Sequence, residues 1–198
     1  MNATNRASWL AACSFVLCGL AAPAHSQAVA SGAEPRTNDP KSVLQRFAAA
    51  MNAGDTNAAL TLWAEEAAIT NTRGRMIAGK ERIRRFLQAN ITMKQRLDPE
   101  SVQVAGDKLI WNNQESNDSY RKLGVAPVQI VSEMIVRDGM IRAYVGYLPS
   151  TEIARIEQAC AAPQGKEVLP NGEPCNEFIE KARAQTAKLT GASKSEKK

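Results

Sequence analysis

The chain has one histidine, His25, and it lies in a stretch with the pattern of a removable leader. Without it there is no imidazole for acid–base work near neutral pH, for a Ser-His-Asp or Cys-His nucleophile, or for a histidine-bearing zinc site. Proton transfer must then come from Asp, Glu, Tyr, Lys or Cys. The catalytic candidate is Glu115. In "KLIWNNQES" it shares a strand face with Leu109, Trp111 and Asn113. If that face is the inner one, a carboxylate and an amide enter an apolar space, and a carboxylate there has a raised pKa suited to a base. The other face (Lys108, Ile110, Asn112, Gln114) is nearly as plausible, so the pattern leaves both orientations open, and Glu115 also reads as an exposed strand carboxylate. Ser132 lies among Val128, Ile130, Met134 and Val136 on one face of "PVQIVSEMIVR". It reads as a core serine bonded to backbone or as a ligand contact.

The leader reading rests on Arg6, on the apolar run Trp9–Ala22, and on Pro23 followed by the small residues of "AHSQA". The run is short of the roughly 20 apolar residues that span a bilayer. Cleavage is expected after Ser26 or Ala28, leaving no stable membrane anchor and a periplasmic or secreted protein. Cys13 and Cys18 leave with the leader. Cys160 and Cys175 remain, and an even pair in an exported chain reads as a disulfide. No metal site and no cofactor are expected.

The net charge of +5 is spread among 20 acids, which argues against a nucleic-acid partner. The densest basic stretch, Arg73 to Arg85, reads as the solvated face of a helix and the turn before it. The positioning elements follow from local signals. Asp39 and Pro40 start a helix with a Val43, Leu44, Phe47, Met51 stripe, which Gly54 ends. Asp55 caps a second helix that carries Leu60 and Trp63 inward. "AAITNT" is a short strand and "RGRMIAG" a returning turn. Gly79 opens a third helix with Ile83, Phe86 and Leu87 buried. Period-two patterns follow, with hairpins at Gly106-Asp107 and Asp138-Gly139. The expected organisation is a leader over 1–26, a linker over 27–38, an α+β domain over 39–150, a helical extension with the disulfide loop over 151–191, and a charged tail over 192–198.

The run "VLQRFAAAMNAGDTNAALTLWAEEAAITN" through "GKERIRRFL", ending in "RDGMIRAYVGYL", resembles the nuclear-transport-factor-2-like superfamily, in particular its SnoaL-like and ketosteroid-isomerase-like bacterial members. The resemblance covers Pro40 to Pro149. It implies a cone-shaped curved antiparallel sheet packed on three helices of the N-terminal half, an apolar pocket, and a homodimer through the sheet face. The isomerases' tyrosine position falls on Phe47, their proton-carrying aspartate on Asn71, and their second acid near Ser132. The epoxide hydrolases' asparagine is matched by Asn71, but their tyrosine falls on Ile69, and their Arg and two Asp fall near Gln114, Ser116 and Gly146. The cyclases' acid, expected near Pro149, has no match. The expectation is therefore a pocket for a small, largely apolar molecule, lined by Phe47, Trp63, Asn71, Trp111, Asn113 and Ser132, without the superfamily's known catalysis. Two alternatives are an isomerase, lyase or epoxide-opening enzyme with rearranged acid–base residues, and a periplasmic assembly protein acting through its C-terminal extension.

Overall fold

The first helix begins where its sequence provides a cap. The Asp39 carboxylate accepts from the Lys41 and Ser42 amides, Pro40 needs no partner at the first position, and Gly54 closes the helix in the left-handed region at φ 75°. The computed structural model, which describes residues 38–162, 169 and 172–195, places this helix, α1, at Pro40–Ala53. The elements that follow are α2 (Thr56–Thr61), β1 (Trp63–Thr70), β2 (Met76–Ala78), α3 (Lys80–Thr92), β3 (Arg96–Ala105), β4 (Lys108–Ser116) and α4 (Asp118–Leu123). They are succeeded by β5 (Val128–Arg137), β6 (Met140–Tyr147), α5 (Ser150–Ala161) and α6 (Cys175–Ser195). The expected leader falls outside the described residues.

The strands form one sheet in the order β2-β1-β6-β5-β4-β3. It is antiparallel, as expected, except at its β1–β6 junction, which is parallel. A parallel junction is possible because β1 and β6 are far apart in sequence, with two helices and four strands between them, so no hairpin dictates their direction. Asp138 and Gly139, at φ 54° and 67°, form the expected hairpin turn between β5 and β6. On β5, Val128, Ile130, Ser132, Met134 and Val136 are buried and alternate with half-buried Gln129, Val131, Glu133 and Ile135. Asn52 ties α1 to β3 with its side chain, donating to the Leu97 carbonyl at 2.8 Å and accepting from the Leu97 amide at 2.9 Å.

Two readings require correction. Trp63 does not belong to the second helix. It starts β1, which is longer than "AAITNT", because the Ile141 amide donates to the Leu62 carbonyl at 2.7 Å and recruits this segment to the sheet edge. Sheet pairing overrides the helix propensity of "WAEEAA". The helix α4 was not anticipated. Its six residues are too few for a periodic pattern, although its caps are readable: the Asn117 side chain accepts from the Tyr120 amide and Gly124 ends it at φ 78°.

Apolar side chains separate into two clusters. One joins α1, α2 and α3 to the sheet around Leu44, Trp63, Ile83, Leu109 and Met134. The other joins Val128, Ile130 and Leu148 to Ile153 and Ile156 of α5 and to Phe178, Ile179 and Ala182 of α6. The C-terminal extension thus spends its apolar face on its own domain. The Cys160–Cys175 disulfide is formed, joining the end of α5 to the start of α6.

Candidate active site

A cavity of about 130 Å³ lies between the helices and the inner face of the sheet. Phe47 and Met51 reach it from α1, Phe86, Leu87 and Asn90 from α3, and Trp63 and Ile69 from β1. Phe47 and Trp63 meet edge to face, with ring centroids 5.7 Å apart, and form one aromatic wall.

The inner face of β4 carries Leu109, Trp111, Asn113 and Glu115, all buried. Glu115 lines the cavity, and its Oε1 accepts a hydrogen bond from the Asn117 side-chain Nδ2 at 3.1 Å. Burial pushes its carboxyl up to about 7, against the opposing effect of hydrogen bonds from Gln95 and Asn117. Such a group is near half-ionised at neutral pH and can both take and return a proton.

Two phenols share the cavity. Burial raises the pKa of Tyr120, and the Glu115 charge adds to this. Burial also raises that of Tyr144, which Ser132 opposes through its hydrogen bond and Glu115 reinforces. The Tyr144 hydroxyl lies 3.0 Å from Ser132 Oγ, and its ring meets Trp111 at 5.8 Å between centroids. If the serine donates into the phenol oxygen, Tyr144 keeps its own proton for the cavity.

Of the residues proposed from sequence, Phe47, Trp63, Asn71 and Glu115 line the cavity together. Trp111, Asn113 and Ser132 are buried on the inner sheet face and do not line it; Ser132 touches it only through Tyr144. Asn71 was expected to line the pocket for a ligand. Its Oδ1 already accepts from the Arg73 and Arg75 amides, each at 3.1 Å, so it shapes the β1–β2 turn and has only its amide nitrogen to offer.

Tyr144, Tyr120, Ser119, Gln95 and Asn117 were not anticipated. Tyr144 is hidden by a bulge in β6. Val136 pairs Ile141, but Ile135 pairs Ala143, so Arg142 is an extra residue and the side chains beyond it change face. Strict alternation from buried Ile141 would have put Tyr144 outside. The Ser119 hydroxyl and Trp63 Nε1 are buried on the cavity wall with no hydrogen-bond partner. Buried polar groups are nearly always satisfied, so unpartnered donors on two residues around the cavity suit a polar environment there. Among the described residues, no group of three or more His, Cys, Asp or Glu comes together in a way that could hold a metal ion.

The family model described as the SnoaL-like domain matches residues 44–144, half of the chain. Among solved structures, a nuclear-transport-factor-2-like protein of unknown function from Mesorhizobium loti is similar at 27% identity and TM-score 0.50, over 59% of this chain and 96% of that one. Proteins of the same description from Burkholderia xenovorans and Cytophaga hutchinsonii are similar at 20% and 14% identity, both with TM-score 0.48, over 58% and 57% of this chain and 87% and 91% of theirs. Comparison with curated proteins found no match.

Proposed function

Since the chain belongs to the family of SnoaL-like domains, we propose that its pocket performs proton transfer on a small polar ligand, with Glu115 taking and returning the proton. One observation carries this reading: a buried carboxyl, adjusted to near neutrality, opens into an aromatic cavity that also holds two phenols. The chemistry that fits is removal of a proton from carbon next to a carbonyl. The Glu115 carboxylate takes that proton, the C–H electron pair moves into an enolate, and the enolate oxygen accepts a hydrogen bond from a cavity hydroxyl such as that of Tyr144. The proton then returns from Glu115 to the same carbon or, where a β,γ double bond makes the enolate a dienolate, to its γ carbon. A positioned base of this kind contributes about 10²–10⁴-fold.

The volume limits the substrate. An apolar cavity of about 150 Å³ holds benzene, so about 130 Å³ suits one ring and is too small for a steroid. The test is hydrogen–deuterium exchange of cyclohexanone in D₂O, followed by NMR. Exchange above the buffer rate that falls about 10²-fold or more in Glu115→Gln supports the reading. Exchange at the buffer rate with bound ketone overturns it and leaves a binding module. A 5-ene-3-ketosteroid should not turn over.

Binding without chemistry is the second reading, and the aromatic wall of Phe47 and Trp63 favours it. For either role we place the protein outside the cytoplasm, as a homodimer. The disulfide fits export, and among the described residues no helix is long and apolar enough to cross a membrane.

A further inference from the structure

We propose that Phe178 and Leu169, both from the C-terminal extension, set the size limit of the pocket, so that it admits one-ring polar molecules and rejects two-ring ones. This rests on the pocket being the working site. The segment matched by the family model stops at residue 144, so both residues lie beyond it. They nonetheless line the cavity, and each is only 4% exposed.

Their position is held from several sides. Phe178 lies in the first turn of α6, three residues after Cys175, whose bond to Cys160 ties the start of that helix to α5. Arg73, in the turn between β1 and β2, pairs with Glu173, and its guanidinium carbon sits 6.0 Å from the Phe178 ring centroid. Further along α6, Gln185 closes on the same turn: its Oε1 lies 3.1 Å from where a Cβ on Gly74 would stand. Leu169 is held by its amide donating to the Glu173 carbonyl at 2.7 Å and by its own carbonyl accepting from Gly172 at 2.8 Å. The turn that carries Asn71 is therefore clamped to the extension, and the two apolar side chains close that end of the cavity. The class of ligand follows from the size of the space and the polar groups around it. One ring fills the volume, and the Glu115 carboxyl and the Tyr120 and Tyr144 phenols around it suit a hydroxyl or carbonyl on that ring.

The experiment is calorimetric titration of phenol and 2-naphthol into the purified full-length protein with its disulfide intact, and into Phe178→Leu and Leu169→Val. Near-UV circular dichroism checks the fold of each chain. We expect the unaltered protein to bind phenol in preference to 2-naphthol. At least one variant should narrow that preference about tenfold, through tighter binding of 2-naphthol. Leu169→Val removes one methylene and keeps the test open should Phe178→Leu lose its fold. Phenol binding with an unchanged preference in every folded variant overturns the size limit and leaves the pocket reading standing. No binding of either probe to the unaltered protein overturns the pocket reading, and the size limit with it.

Discussion

A carboxyl group shut into an aromatic pocket holds its proton more tightly than the same group in an unfolded chain. For Glu115 the rise is from 4.5 to about 7. Between those values the folded protein carries the proton and the unfolded chain does not, so stability falls as pH rises. The contribution is fully present below about 4.5 and is lost as pH passes through about 7, a change of roughly 3 kcal/mol. Glu115→Gln should flatten this slope and be more stable than the parent at pH 8, with little difference at pH 4; urea denaturation at the two pH values checks it. A parent protein that is the more stable one at pH 8 would point to a counter-charge on the carboxylate. Asn71 gives a second residue-scale expectation. Asn71→Ala leaves two amides of the β1–β2 turn without their acceptor and should cost about 2 kcal/mol, whereas Asn71→Asp keeps an acceptor and should melt closer to the parent. The sequence could show that Glu115 and Asn113 share a face, since alternation is local. Which face turned inward depended on β5 and the helices, and neither is encoded in β4.

Elements were legible where their signals lie within a few residues. Asp39, Asp55 and Gly79 mark the helix starts, and Asp138-Gly139 marks a hairpin. The rest required partners distant in sequence. β1 gains its first residues by pairing with β6, and the bulge at Arg142 that turns Tyr144 inward is visible only against the register of β5. The extension read as helical with a disulfide loop, but the place of Phe178 at the cavity could not be seen, because it meets the turn at Arg73 across more than a hundred residues of chain. The staple leads to a prediction. Cys160 and Cys175 are 15 apart in sequence, and closing a loop of that size stabilises by about 3 kcal/mol in the chain-entropy model. Cys175→Ser should therefore lower stability by about 2–5 kcal/mol, read from denaturation midpoints under non-reducing conditions. A change near zero would mean that the packing of Phe178, Ile179 and Ala182 fixes α6 without the bond.

At the scale of the whole molecule, the question is what lies against the outer face of the sheet. Both apolar clusters draw on the inner face, through Leu109, Trp111 and Met134 in one and Val128 and Ile130 in the other. The opposite face of β4, β5 and β6 presents Ile110, Val131, Ile135 and Tyr147. Ile110 is exposed and the other three are half-buried in the single chain. Val131 pairs with Tyr147 on β6, while Ile110 on β4 pairs with Glu133 and is diagonal to Val131 and Ile135, so the apolar groups interleave with polar ones across three strands. Lys108 and Glu133 form an ion pair at 2.7 Å within the same face, a contact that a second copy could rearrange. An apolar strip with charged groups inside a polar surround suits a two-fold contact in which each residue meets its symmetry mate's neighbour. We therefore expect a homodimer by multi-angle light scattering at micromolar concentration. Ile135→Lys would put a second cation beside Lys108 at one end of that strip and should shift the species to the monomer mass, with the circular dichroism spectrum unchanged. A parent protein that runs as a monomer at that concentration rejects the sheet-face contact. A dimer that survives Ile135→Lys places the contact on another surface.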